Sequence, residues 1–277
     1  MKTDIFHLQI IPIKDILVHE EFDKSRAFPL VESLKIDKII ANPIIVAAVD
    51  GKKYLQLDGM NRFSAFKMLK FTSILCQIID YNDQETVELS SWSHLFAGKK
   101  QKFLTYIKSL NNISIKRGRA KDISHRYIKE EGLGRLCTIY FSPGEVYLIY
   151  CSGNLLNKIE FLNKIVSFYK ENIVRDVLPS NPNESNIDIL FQEHIETNTL
   201  VVFPTFTRHQ IVEVVKKGKL LPAGISRHII KRRCLNVNLP ISFFTDFKSI
   251  RVQNEKLEEN LASRKFRIYE EPTIYFE

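Results

Sequence analysis

Residues 44–67 read IIVAAVDGKKYLQLDGMNRFSAFK and set out a strand, a turn, a second strand and a helix. Residues 44–49 are a compact apolar run, residues 53–57 alternate, and the Asp50-Gly51 pair between them favours a tight hairpin turn. The apolar period then changes to that of a helix, carried by Met60, Phe63, Phe66, Met68 and Leu69. The stretch therefore predicts a β-hairpin whose second strand delivers Asp58 to the start of a helix.

The turn Asp58-Gly59-Met60-Asn61-Arg62 has the composition of an anion-binding helix start. Free amides at a helix N-terminus attract anions, and Gly59 lets the backbone approach a ligand closely. A cation such as Arg62 is disfavoured at this end of a helix, so it needs an anion nearby. A phosphate group would serve, and so would Asp58 itself, which would make the five residues a self-contained cap.

The pattern of the first hundred residues predicts a small α+β domain. Residues 6–13 alternate as a strand, and residues 29–39 place apolar side chains near helical spacing. A polar segment, residues 18–26, lies between them.

The second half carries mixed helix and strand signals. Residues 156–169 have the spacing of an amphipathic helix, and residues 199–203 are typical of a buried strand. Thr207 with Gln210 forms a capping box that starts another helix, which Gly218 ends. Residues 235–239 alternate, which predicts a strand after a polar and basic loop.

Composition bounds the class of protein. The chain has 277 residues, 44% of them apolar, which is enough to bury a sizeable core in one large or two medium domains. No run reaches the roughly 18 to 20 apolar residues of a membrane helix, and the N-terminus does not resemble a signal peptide, so we expect a cytoplasmic protein. Its four cysteines are never in CxxC spacing, and we expect them to be reduced and to pack in the interior.

The net charge of +8 is concentrated in one segment, Lys99 to Arg135, which holds eleven Lys or Arg and three acidic residues. The remaining 29 basic and 29 acidic residues cancel. A local basic surface is typical of a polyanion partner such as DNA. A solvated helical face explains the same charges, and both interpretations stay open at this point.

Four separated places resemble one family. Residues 42–46 with the turn at 58–67 are similar to the ParB/sulfiredoxin-type nucleotide-binding domain, whose usual form is DGxHR before a helix. A helix ending KKGK at residues 216–219, then LPAGISR at 221–227 and RCLNVNLP at 233–240, resembles the C-terminal domain of SbnI-type proteins. These are the ParB-like free-serine kinases of siderophore gene clusters. Residues 18–22 and 91–94 extend the resemblance, which is weaker for the archaeal free-serine kinases.

The resemblance implies an α+β fold with a ParB/sulfiredoxin-like nucleotide-binding domain at residues 1–95 and a mixed α/β domain at 96–277. The active site would lie in the cleft between them. The implied activity is transfer of a phosphoryl group from ATP or ADP to the hydroxyl of free L-serine, giving O-phospho-L-serine for siderophore or amino-acid biosynthesis. A homo-oligomer is compatible with the resemblance, and no membrane partner is expected.

The resemblance also implies roles for particular residues. Glu20 matches the catalytic glutamate, which accepts the proton of the serine hydroxyl because that hydroxyl is a poor nucleophile. Asp58 would orient the nucleophile or hold Mg²⁺, since a hard cation prefers carboxylate oxygens. The phosphates would be bound by Gly59, Met60, Asn61 and Arg62. The serine pocket would be lined by Trp92, Ser226, Arg227, His228 and Arg233.

One departure and one alternative bear on this interpretation. Asn61 stands where the family commonly has histidine, and an amide can donate to a phosphate but cannot carry a charge. The alternative is a ParB-like DNA-binding transcriptional regulator that binds nucleotide with little catalysis, based on the basic segment Lys99 to Arg135. Sulfiredoxin chemistry is disfavoured because no cysteine lies beside the turn at residues 58–62, and no histidine or cysteine is singled out as a haem ligand.

Overall fold

The computed structural model describes residues 3, 5–22, 24–179 and 181–268. The β-strands are β1 (Leu8–Pro12), β2 (Ile16–Leu17), β3 (Ile39–Ile40), β4 (Ile44–Asp50), β5 (Lys53–Asp58), β6 (Ser73–Ile79), β7 (Val87–Ser91), β8 (Ser93–Phe96), β9 (Ile113–Gly118), β10 (Gly134–Phe141), β11 (Glu145–Cys151), β12 (Val174–Asp176), β13 (Thr199–Val202), β14 (Ser226–Ile230) and β15 (Leu239–Pro240). The α-helices are α1 (Lys24–Asp37), α2 (Met60–Met68), α3 (Lys100–Ser109), α4 (Leu155–Ser167), α5 (Glu184–Glu193), α6 (Arg208–Lys216), α7 (Ser242–Thr245) and α8 (Ile250–Ala262).

Two large sheets organise these elements. The first sheet has the strand order β1-β6-β4-β5-β2, and the second has the order β12-β8-β13-β10-β11-β9. Two short pairs, β14 with β7 and β15 with β3, connect segments that are distant in sequence. The prediction of a mixed α and β fold is confirmed.

The first four residues of strand β4 are apolar and buried, which is typical of a strand covered on both faces. Ile44 and Val46 face a core that includes α2, whereas Ile45 and Ala47 face a second core formed with residues of the second half of the chain. The predicted turn is present, with Gly51 in the left-handed region at φ +54° between β4 and β5. The first sheet is therefore the layer between two cores.

The two halves of the chain are interleaved in their packing. Strand β8, Ser93–Phe96, pairs within the second sheet, while Val237, Leu239, Phe244 and Leu257 of the C-terminal segment are buried in the core of the first sheet. Asn254 on α8 holds the backbone of Ile10 in β1 through hydrogen bonds of 2.8 and 2.9 Å. The division into 1–95 and 96–277 stays a prediction.

The strand predicted at residues 235–239 is wrong. Only Leu239–Pro240 form a strand, and Asn236 and Asn238 adopt φ values of +54° and +46°. Asparagine tolerates this left-handed conformation better than most residues. The left-handed conformation interrupts the extended backbone that a strand needs. The alternation of residues 235–239 nevertheless buries Val237 and Leu239, so the apolar pattern reports burial and not a strand.

The basic segment does not form one helical face. Its charges are distributed over α3, β9 and the connection to β10. Lys100 and Arg117 both pair with Glu145 on β11, the second at 2.9 Å. Among the described residues, no helix is long and apolar enough to cross a membrane.

The cysteines are free thiols, as expected. Cys76, Cys137 and Cys151 are buried, and Cys234 is half-buried. Burial raises the pKa of the Cys234 thiol to about 11, so it stays protonated near neutral pH.

Candidate active site

The segment that carries Glu20 is joined to the far end of the chain. Leu221 N donates to His19 O at 2.8 Å, and Glu21 N donates to Leu221 O at 3.0 Å. These two bonds form a parallel β-bridge between Glu20 and Leu221. The bridge places Glu20 against residues 222–226, which we call the glycine loop.

The carboxylate of Glu20 accepts three hydrogen bonds from the glycine loop. Oε2 accepts from Gly224 N at 2.8 Å, and Oε1 accepts from Ser226 N at 2.7 Å and from Ser226 Oγ at 2.5 Å. The side chain is 12% exposed. A carboxylate offers about four acceptor positions. The described hydrogen bonds therefore leave one position, on Oε2, for a further donor.

Both backbone polar groups of Gly224 are hydrogen-bonded, the N–H to Glu20 and the carbonyl to His94. Its carbonyl accepts a 2.8 Å hydrogen bond from His94 Nε2, and its φ of +70° lies in the left-handed region. A Cβ atom at this position would lie 1.9 Å from Arg175 Nε. Burial lowers the pKa of His94 to about 3, so this imidazole is neutral and His94 acts as a fixed donor. Sequence reasoning assigned no role to His94 or to Arg175, which are paired on β8 and β12.

His19 connects Glu20 to β5. Its Nδ1 atom lies 2.7 Å from Gln56 O, and its Nε2 atom lies 2.9 Å from Ser226 Oγ. Nε2 is also 3.8 Å from Glu20 Oε1. The side chain is buried, with 5% of it exposed. Sequence reasoning assigned no role to His19.

His228 lies edge-to-face against His19, with ring centroids 5.1 Å apart. Its Nε2 atom is 2.9 Å from Tyr81 Oη. Burial is the main cause that lowers the pKa of His228 well below its usual value, and the charges of His19 and Arg208 act in the same direction. A hydrogen bond to the backbone of Leu57 opposes them. The imidazole of His228 is therefore neutral at physiological pH.

The turn after β5 gathers two guanidinium groups on one carboxylate. Arg62 Nη2 lies 3.2 Å from Asp58 Oδ2, and Arg233 pairs with the same oxygen. Gly59 precedes α2 with φ +87°, and a Cβ atom there would lie 2.8 Å from Ile44 Cγ2. Asp58 thus partly compensates Arg62, the alternative left open by the sequence. Among the described ion pairs, Asp58 thus faces two cations at the N-terminus of α2, where an anion is favoured.

Trp92 and Arg227 contact each other beside β14. The Arg227 guanidinium lies 4.9 Å from the centre of the indole, a cation–π distance. Trp92 N donates to Ile225 O at 3.1 Å, directly before β14. Because successive side chains of a strand point to opposite faces, Arg227 lies on the other face of β14 from Ser226 and His228.

The residues around His19 and the residues around Asp58 meet at the end of β5. Gln56 O accepts from His19, Leu57 bonds to His228, and Asp58 pairs with the two arginines. Successive residues of a strand are about 3.3 Å apart. The end of β5 therefore contacts both the segment that carries the Glu20 carboxylate and the turn at Asp58–Arg62, where an anion is favoured.

A group of metal-ligand type occurs elsewhere among the described residues. Asp176, Glu193 and His194 lie near one another, and His194 Nε2 is 2.8 Å from Asp176 Oδ2. This group does not include Asp58.

The chain is related in sequence to curated serine kinases. It is 28% identical over 244 residues to an ATP-dependent L-serine kinase of Staphylothermus marinus, covering 84% of this chain and 89% of that protein. It is 24% identical over 267 residues to the ATP-dependent L-serine kinase SbnI of Staphylococcus aureus, covering 94% and 93%. No protein-family model matches the chain.

Solved structures show the same fold. C-terminally truncated SbnI of Staphylococcus aureus superposes with a TM-score of 0.69 at 22% identity, covering 92% of this chain and 96% of that chain. A free serine kinase in complex with AMP superposes with a TM-score of 0.68 at 17% identity, covering 88% and 96%. The resemblance to SbnI-type free-serine kinases stated from the sequence is therefore confirmed at the level of relatives and fold.

Proposed function

We propose that this protein is an ATP-dependent kinase of free L-serine that produces O-phospho-L-serine. The observation that carries the proposal is the Glu20 carboxylate, fixed by Gly224 and Ser226 beside the positively charged turn at Asp58. The curated relatives are named for this activity. Phosphoryl transfer to an alcohol needs a proton acceptor and a site for the charged phosphates, which Glu20 and the turn at Asp58 would supply.

Glu20 is the general base in this proposal. The serine hydroxyl would donate to the acceptor position left on Glu20 Oε2. As the serine oxygen bonds to the γ-phosphorus of ATP, its proton passes to Glu20, the bond from the γ-phosphorus to the bridging oxygen breaks, and ADP leaves. Three hydrogen bonds hold the carboxylate in one orientation, so little reorganisation is needed at the moment of transfer.

The phosphates would lie at the N-terminus of α2. Its first amides, those of Met60 and Asn61, together with the Arg62 guanidinium, would donate to phosphate oxygens. The turn requires glycine at position 59, because the φ of +87° is strained for other residues and a Cβ atom there would lie 2.8 Å from Ile44 Cγ2. Asn61 supplies an amide donor where the related proteins commonly have histidine, so the charge at this turn comes from the arginines.

Asp58 fits Mg²⁺ as one hard oxygen ligand at the phosphate turn. Mg²⁺ commonly binds through one or two carboxylates together with phosphate oxygens and water. Asp58 Oδ2 already pairs with Arg62 and Arg233. The ion would bind Asp58 together with the nucleotide, whose phosphates would offer Arg62 a new partner. When bound, Mg²⁺ would neutralise charge on the transferred group.

The serine pocket would use the residues around β14. Ser226 and His228 lie beside Glu20 and His19, and Arg233 is an exposed guanidinium suited to the substrate carboxylate. Trp92 and Arg227 would border the pocket from the other side of the strand. The location of this pocket in a cleft between residues 1–95 and 96–277 is part of the proposal.

The direct test is phosphoserine formation from L-serine with Mg-ATP and, separately, Mg-ADP. We expect product with ATP, measured by chromatography of the amino acid, and ADP release that depends on serine. Absence of phosphoserine with both nucleotides, in a protein that is folded by circular dichroism, would contradict the proposed activity. Use of the product in siderophore or amino-acid biosynthesis stays a prediction.

A prediction tests the phosphate turn separately from the base. Arg62→Ala should weaken ADP binding by about 10- to 100-fold, because charge-assisted hydrogen bonds contribute about 1.5–3 kcal/mol each. The measurement is calorimetric titration with Mg-ADP. Lys67→Ala is the matched control, because Lys67 is an exposed cation on the same helix. Its ammonium group lies over the Phe63 ring. Equal losses in both variants would mean that the binding depends on general charge and not on the turn.

The DNA-binding alternative rests on the sequence of the basic segment alone. Lys100 and Arg117 in that segment are paired with Glu145, and the relatives are named for kinase activity. No comparison favours the regulator. Cytoplasmic localisation and a homo-oligomer stay predictions.

A further inference from the structure

The proton on His19 Nδ1 is fixed by its partner. Gln56 O is a carbonyl oxygen and can only accept, so the 2.7 Å contact with His19 Nδ1 requires a proton on that nitrogen. A neutral imidazole carries one proton, so a neutral His19 would have a bare Nε2. The state of Nε2 then depends on its own neighbour, Ser226.

Two hydrogen bonds at Ser226 Oγ need two protons. The oxygen lies 2.9 Å from His19 Nε2 and 2.5 Å from Glu20 Oε1, and a hydroxyl supplies only one proton. The second proton must sit on His19 Nε2 or on Glu20 Oε1. The first arrangement is an imidazolium with a carboxylate, and the second is a neutral pair.

The surroundings of the carboxyl group distinguish the two arrangements. Glu20 accepts from the backbone amides of Gly224 and Ser226 in addition to the hydroxyl, and three donors suit a group that only accepts. His19 Nε2 lies 3.8 Å from Oε1, a distance at which opposite charges attract. A protonated Glu20 would place a hydrogen on Oε1, which already receives the Ser226 amide.

We propose that His19 is an imidazolium that, through Ser226, positions Glu20 and keeps it a carboxylate. His19 is thus a positioning residue, since it acts on the base and not on the substrate. The assignment of Glu20 as the base rests on the proposed function, whereas the protonation of His19 does not. A cationic His19 cannot take up the proton that Glu20 accepts, so that proton leaves from Glu20 itself after each transfer.

The groups that face His19 define its electrostatic surroundings. Glu20 lies on its own segment and His228 lies on β14. Tyr81 and Arg208 lie behind His228, with the Arg208 guanidinium 5.9 Å from the Tyr81 ring. His228 accepts from Tyr81 Oη while donating to the backbone of Leu57, so it is satisfied as a neutral ring. This edge-to-face pair of histidines would therefore hold one charged and one neutral ring.

The kinetic test compares His19→Gln with the native protein across pH. Glutamine can still donate to Ser226 Oγ but carries no charge, so the carboxylate form of Glu20 is less favoured. We expect the acid limb of the kcat profile to move up by about 1 to 3 pH units, the range typical of losing an opposite charge within about 4–6 Å. His125→Gln is the matched control, because His125 also bonds a backbone carbonyl, Phe203 O at 2.9 Å, and should leave the limb in place. An unmoved limb in His19→Gln would overturn the proposal.

A second measurement does not depend on activity. Histidine labelled with ¹⁵N distinguishes an imidazolium from either neutral tautomer by its nitrogen shifts, and comparison with His19→Gln assigns the signal. At pH 7.5 we expect both nitrogens of His19 to be protonated and His228 to be neutral. A bare Nε2 on His19 would overturn the proposal even in an active enzyme, and a doubly protonated His19 would support it even if no phosphoserine formed.

Discussion

Glu20→Gln is expected to lower kcat for phosphoserine formation by about 10²- to 10⁴-fold, the contribution typical of a positioned general base. The amide cannot accept the substrate proton. In the native protein, Glu20 accepts hydrogen bonds of 2.8 and 2.7 Å from the amides of Gly224 and Ser226. The NH₂ group of glutamine is itself a donor and cannot accept from one of these amides. The measurement is the rate of phosphoserine formation at saturating Mg-ATP and serine, with ADP affinity measured in parallel.

Glu21→Gln is the matched control for this prediction. Glu21 is the next residue and is exposed, while its backbone makes the bond to Leu221 O that any side chain preserves. We expect its kcat to stay within about twofold, as is usual for exposed substitutions away from the chemistry. If Glu20→Gln retained full kcat while ADP binding was unchanged, another group would have to be the base. If both activity and ADP binding were lost, the variant would report a misfolded site, and Glu20→Asp, which keeps the charge, would decide.

The local elements were predictable because their signals lie within a few residues. The period change after β5 places α2 at Met60–Met68, and the Thr207 capping box starts α6 at Arg208. In both cases hydrophobic spacing or a cap acts on the backbone next to it. The alternation of residues 235–239 failed as a strand signal because burial against a distant core produced the same pattern.

The candidate site was not predictable from local pattern. Glu20 bonds to Gly224 and Ser226, which are 204 and 206 residues further along the chain. In the sequence it lies in a polar segment, and only the resemblance gave it a role. His94 and Arg175 are still less visible, because each acts on the Gly224 peptide through a contact that the fold creates and that no spacing in the sequence reports.

Asp58 and Arg62 are an intermediate case. Their spacing of four residues across a helix start predicted an interaction, and the structure contains it at 3.2 Å. The second guanidinium on the same carboxylate comes from Arg233, far along the chain. The sequence alone left open whether Asp58 or a phosphate compensates Arg62, whereas the fold brings a second described cation to the same carboxylate, which favours an anion such as a nucleotide at this turn.

Gly224→Ala is expected to damage both stability and catalysis, because the glycine loop has no room for a methyl group. Its φ of +70° costs an L-residue about 1–2 kcal/mol, and the new Cβ would lie 1.9 Å from Arg175 Nε. Either Arg175 or the loop must move, and the loop carries the amide that holds Glu20 Oε2. We expect a fall in Tm and a fall in kcat of about 10- to 100-fold, since misplacing a catalytic group by about 1 Å has effects of that size.

Gly218→Ala separates backbone strain from steric overlap. Gly218 has nearly the same φ, +67°, and a Cβ atom there would meet nothing within 4 Å. It should therefore lose only the strain energy, with kcat unchanged, and the difference between the two variants measures the contact with Arg175. Equal Tm and equal kcat in both would mean that Arg175 moves aside freely and that the position of the glycine loop does not limit the reaction. A larger loss of kcat in Gly224→Ala, with ADP affinity preserved, would place the defect at Glu20, because the phosphate turn at Asp58 is built from other residues.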